Sequence, residues 1–105
     1  MTGAAQETGG TTRLVLPAAV DIEGAESLLA RCREAVAGAG AGALSIDAGG
    51  VENVDTAGLQ ILIATRVALV EAGGELRWER VSPALAEAAR LAGAAGVLGL
   101  DGTAE

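Results

Sequence analysis

The segment Val54-Asp55-Thr56-Ala57-Gly58-Leu59-Gln60 sets an acid, a hydroxyl, two very small side chains and a leucine where a loop turns into a helix. Asp55 can cap that helix by accepting from the N–H of Ala57 or Gly58. Thr56 then takes the first helical position with its hydroxyl outward, and Ala57 and Gly58 leave room around it. A glycine inside a helix costs about 1 kcal/mol relative to alanine, so Gly58 in the first turn implies that something approaches closely there. A phosphate on Thr56 would meet backbone N–H groups and the positive end of the helix dipole. The plain alternative is that Asp55 and Thr56 are only a helix start signal. The pattern alone leaves both open.

Other residues suggest chemistry less well. Asp47, Glu52 and Asp55 are spaced so that they converge near a strand end, as Mg²⁺ ligands do, but nothing completes a six-oxygen site, and solvated loop acids are the expectation. Gly38, Gly40 and Ala43 match G-x-G-x-x-G/A. That fingerprint needs a strand before it and a helix after it, and here the order is reversed, so a helix-to-strand loop is expected. Cys32 lies in an apolar helical stripe and reads as a buried, inert thiol. Trp78 alternates with Leu76 and reads as a packing residue. No metal and no cofactor are expected.

Composition removes whole classes. The 105 residues include no His, no Phe and no Tyr, and all seven basic residues are Arg. Without His there is no Ser-His-Asp triad and no His-ligated metal. Without Lys there is no P-loop lysine and no Schiff base. A net charge of −7 opposes nucleic-acid binding, which needs clustered cations. A small acidic binding module, rather than an enzyme, remains. One cysteine permits no intrachain disulfide. The opening MTGAAQETGG lacks the charge and apolar run of a signal peptide, and the longest apolar stretch, around Leu59–Val70, is too short and polar to span a bilayer. The expectation is a cytoplasmic protein without direct membrane insertion.

The elements that must position Thr56 follow from periodicity. A first strand is expected over Thr12–Leu16, with Ala18–Ile22 leading into a helix at about Glu23–Ala37 whose stripe is Ala25, Leu28, Leu29, Cys32, Ala35 and Val36. A second strand, Ala43–Asp47, precedes a loop over Ala48–Asn53. The next helix, Thr56–Ala72, buries Leu59, Leu62, Ile63, Val67 and Val70, and Gly73-Gly74 stops it. A third strand, Glu75–Arg80, leads to a helix opened by Ser82-Pro83, with Leu85, Ala88, Ala89 and Ala92 inward. Val97–Leu100 is a turn of helix or a terminal strand. The order predicts an α/β domain over residues 11–100 with a mostly parallel or mixed sheet, flanked by flexible tails at residues 1–10 and 101–105.

At Asp55-Thr56-Ala57-Gly58-Leu59 the sequence resembles the STAS domains of anti-sigma-factor antagonists and sulfate transporters, whose signature is a strand followed by Asp-Ser/Thr-x-Gly-Leu opening a helix. The frame agrees: Ile46-Asp47 ends a strand about eight residues earlier, and Glu75–Trp78 with Ser82-Pro83-Ala84-Leu85 follows. The resemblance spans about Leu14 to Leu100. It implies a mixed central β-sheet with helices packed mainly on one face. It also implies Thr56 as phosphoacceptor of a partner serine/threonine kinase, with Asp55, Gly58 and Asp47 supporting it. Asn53, Val54, Thr56, Ala57 and Gln60 would touch the partner. In antagonists the unphosphorylated protein binds a kinase-type anti-sigma factor and frees a sigma factor, phosphorylation blocks this, and a phosphatase restores it. Other small STAS proteins are subunits of bacterial phospholipid-trafficking ABC transporters, docked on the ATPase by the same helix start, or lie near chemotaxis genes. The Ala-rich, Lys-free composition suggests a high-GC bacterial source.

Overall fold

The computed structural model describes residues 11–100; the tails expected at residues 1–10 and 101–105 lie outside the described residues. Along them run β1 (Thr11–Val15), β2 (Ala19–Val20), a 3-10 turn (Ile22–Gly24), α1 (Ala25–Ala39), β3 (Ala43–Ala48), β4 (Asn53–Val54), α2 (Thr56–Glu71), β5 (Glu75–Val81), α3 (Pro83–Leu91) and α4 (Ala95–Leu98). Val97–Leu100 therefore begins within a helical turn rather than forming a strand.

The central sheet has the order β1-β3-β5, and a second, two-stranded sheet joins β2 to β4. Every strand pairing among the described residues is parallel; an antiparallel member that would make the sheet mixed is not among them. Parallel neighbours need crossover connections, which α1 supplies between β1 and β3 and α2 between β3 and β5. α1 packs on β1 and β3, α2 packs on β5, and the two helices pack on each other. Leu14, Leu44 and Ile46 alternate toward the helices and are buried. The other face carries Arg13, Ser45, Asp47, Glu79 and Arg80, joined by hydrogen bonds and ion pairs.

With no Phe or Tyr available, the core is aliphatic: Leu44, Ile46, Leu62, Leu69, Leu85 and Leu98 are its largest fully buried side chains. Each contributes about 2 kcal/mol by leaving water. α1 buries Leu28, Cys32, Ala35 and Ala39, close to the expected stripe, and Gly40 ends it at a φ of 54°, a left-handed value that favours glycine. The glycine run is thus a helix-to-strand turn. Ser82 Oγ accepts from the Leu85 N–H at 3.1 Å and Pro83 takes the first position of α3. Leu85 and Ala89 are buried there, while Ala92 is the exposed residue just past its end.

α2 departs from expectation. Its buried residues are Gly58, Leu59, Leu62, Thr65 and Leu69, whereas Val67 and Val70, expected inside, are 46% and 54% exposed. The helix is apolar almost all round, so apolar spacing alone does not select the inward stripe. Thr65 can occupy a core position because its hydroxyl donates to the Ile61 carbonyl at 2.7 Å.

Candidate functional site

The short β2–β4 pair holds the start of α2 in place. Ala19 pairs with Asn53 and Val20 with Val54. The Ala18 carbonyl accepts from the N–H groups of Glu52 and Asn53 at 2.7 and 3.0 Å, and the Val20 carbonyl accepts from Asp55 N–H at 3.2 Å. The chain therefore enters α2 along a fixed rail. Asp55 is extended, with φ −123°, and caps the helix: Oδ1 accepts from the Gly58 N–H at 2.9 Å. Its other oxygen, Oδ2, accepts from the Ile22 N–H at 2.9 Å. These two N–H groups, Gly58 first and Ile22 second, hold the Asp55 carboxyl below its ordinary range. Asp55 is an ionised clasp between the 3-10 turn and α2.

Thr56 follows as the first residue of α2 and is exposed, and among the described residues no group bonds its hydroxyl. Asn53 and Gln60 are exposed beside it, and Val54 and Ala57 are half-buried. The five residues expected to touch a partner thus share the β4–α2 junction.

Gly58 has a different role from the expected one. It is buried, and a Cβ there would overlap the Val20 carbonyl and lie 2.6 Å from its carbon. The close approach that glycine permits is of the chain's own β2, beneath the helix, not of a ligand at Thr56. The first-turn donors also differ from expectation, because Asp55 already takes the Gly58 N–H and draws on that of Ala57. A phosphate on Thr56 would face an ionised carboxylate.

Asp47 is not brought to this site. Its Oδ2 accepts from Arg80 at 2.8 Å and from Arg13 at 3.1 Å, and its Oδ1 accepts from the Gly49 N–H at 2.9 Å. The Gly49 N–H and Arg80 lower its pKa. A bulge explains the grip: Asp47 of β3 lies opposite Arg80, not Glu79, so β5 carries one extra residue there. Glu79 and Arg80 then both work on the open face, with Glu79 accepting from Arg13 and Ser45. Glu52 is exposed, and among the described residues no group of three or more His, Cys, Asp or Glu is placed to hold a metal ion. Cys32 is buried, and burial raises its pKa. Trp78 donates from Nε1 to the Leu98 carbonyl at 2.9 Å, the packing role expected of it.

Sequence reasoning missed Ile22. It is 65% exposed and its N–H is bound to Asp55, so it belongs to the Thr56 surface. Spacing hid it: Ile22 lies three residues before Ala25 and seven before Leu29, in phase with the α1 stripe, and only the 3-10 turn at Ile22–Gly24 takes it out of the helix.

The arrangement presents the exposed Thr56 hydroxyl next to the ionised Asp55 carboxylate, on a junction held by backbone and side-chain hydrogen bonds. Among the described residues no helix is long and apolar enough to cross a membrane. No curated protein and no solved structure matches the chain. A family model described as "Mlab, STAS domain" matches residues 4–100. That match, covering the α/β core and the Asp55-capped helix, shows that the chain belongs to the STAS domain family, a family of regulatory and interaction modules.

Proposed function

We propose that this STAS domain is a phosphorylation-switched docking module resembling an anti-sigma-factor antagonist, with Thr56 as phosphoacceptor. The observation that carries the reading is the exposed Thr56 hydroxyl at the first position of α2, which no group among the described residues bonds. A partner serine/threonine kinase transfers the γ-phosphoryl group of ATP to Thr56 Oγ1, releasing ADP and the hydroxyl proton. The product adds about two negative charges beside ionised Asp55. A partner surface that fits a neutral hydroxyl beside a carboxylate then meets repulsion and a desolvation cost, and a phosphatase reverses both. The partner surface should be basic, given the chain's charge of −7. The chain itself needs no catalytic group for this.

The experiment is incubation with ATP and the kinase encoded beside it, followed by mass spectrometry and pull-down. Phosphate on Thr56, with partner affinity falling about tenfold or more, is the expected result. Absence of modification at Thr56 with every neighbouring kinase sinks the switch.

A second reading is favoured by one observation: Asp55 already uses the first-turn donors, so the site docks without needing an anion seat. In it the unmodified Thr56 surface binds the ATPase of a phospholipid-trafficking ABC transporter as an accessory subunit. Retention of an ABC ATPase by wild-type and Thr56→Ala protein, with no phosphorylation, selects this reading over the first.

A further inference from the structure

We infer that β5 and the adjoining flank of α2 form a self-association surface that joins two copies of this chain across a two-fold axis. β5 is an outer strand of the β1-β3-β5 sheet. The Glu75 N–H donates inward to Gly42, and backbone groups alternate in direction along a strand. Leu76 and Trp78 therefore turn their N–H and C=O groups away from β3, toward an edge that no strand pairs among the described residues. Such an edge is a template for another strand.

The occupant follows from charge. In an antiparallel pairing centred on Leu76, Glu75 of one copy stands opposite Arg77 of the other, and Arg77 opposite Glu75. Both are more than half exposed, at 62% and 58%, and among the described residues each side chain bonds only the other. Opposite charges across a strand pair are favourable and like charges are not, so this edge accepts a copy of itself. The pairing lies before the bulge at Glu79–Arg80, where the edge is regular.

A second observation points the same way. α2 turns Ala64 and Ala68 toward α1, while Val67 and Val70 share a concavity with Val97 of α4 on another flank. α1 lies under β1 and β3, and α2 lies under β5, so that flank is on the side of the outer β5 edge. All three valines are about half exposed. An isologous pairing extends the sheet and buries this apolar strip beneath it, with the Glu75–Arg77 pairs at the rim, the usual anatomy of an interface.

The test is sedimentation equilibrium across a concentration series of the full chain. A mass rising from one chain toward two is expected. Arg77→Glu and Glu75→Arg should each weaken self-association about tenfold or more, and an equimolar mixture of the two should restore it, because the opposite charges again face each other. Val70→Asp should weaken it without restoration by either charge variant. All these positions are exposed, and circular dichroism checks that each variant folds. A single-chain mass at every concentration overturns the inference, as does a dimer indifferent to the charge variants. No partner protein is involved, so either failure leaves the Thr56 surface untouched.

Discussion

Gly58 is the residue whose side chain is excluded by the chain itself. The Val20 carbonyl lies where a Cβ would go, and Val20 is held in turn by the Asp55 N–H. Backbone cannot rotate aside as a long side chain can, so Gly58→Ala forces α2 away from β2. Overpacking of this kind typically costs about 1–3 kcal/mol, and a backbone clash belongs at the upper end. The helix propensity gain from alanine, about 1 kcal/mol, is smaller and in the opposite direction. Urea unfolding should therefore show Gly58→Ala less stable than wild type, and a more stable variant would show that the space is open after all. The same geometry makes Thr56 available: Gly58 pins the helix start from below, and Thr56, two residues earlier and about 200° round the helix, projects to the surface.

Between elements, the coupling runs through the Asp55 carboxylate. One oxygen serves α2 and the other serves the 3-10 turn, which carries exposed Ile22. Asp55→Asn keeps one acceptor for Gly58 but sets an amide donor against a second N–H, and Asp55→Ala removes both bonds. Hydrogen exchange should show the Ile22 amide deprotected in both variants and the Gly58 amide deprotected in Asp55→Ala alone, while the Leu44 amide in the central sheet stays slow. Equal protection of Ile22 in wild type and Asp55→Ala would remove the clasp. These elements also show what was legible beforehand. α1, α2, β3, β5 and the Ser82-Pro83 start of α3 could be read because each is long enough to display a period or carries a local cap. β2 and β4, two residues each, are too short for any period and exist only through pairing with each other. Because they carry the rail under α2, the role of Gly58 could not be read either: sequence announced a close approach but not by what. Asp47 was misplaced for a similar reason. A bulge in β5 and an arginine from each neighbouring strand capture it, and such long-range partners leave no trace in local spacing.

For the molecule as a whole, three carboxylates among the described residues have lowered pKa values and tie stability to pH. Asp47 is held by the Gly49 N–H and Arg80, Asp55 by the Gly58 and Ile22 N–H groups, and Glu79 by Arg13 and Ser45. In the unfolded chain such groups titrate near about 3.9 for Asp and about 4.3 for Glu. Their folded values lie lower, so between the two the unfolded state binds more protons, and stability rises with pH. The contribution is fully present above about pH 5 and is lost as the pH falls through the folded values. Once Asp47 and Glu79 are protonated, the guanidinium groups of Arg13 and Arg80 lose their anionic partners on the open sheet face. Urea midpoints should hold level from about pH 7 to about pH 5 and fall steeply below about pH 4. Asp47→Asn should lower the midpoint at neutral pH and flatten the acid limb, because it removes one of the three groups that take up a proton on unfolding. Added salt should weaken the exposed Arg77–Glu75 pair more than the contacts of buried Asp47. An acid limb as steep in Asp47→Asn as in wild type would move the linkage to Asp55 and Glu79 alone, placing the pH sensitivity at the Thr56 platform and the Arg13 pair rather than at the bulge.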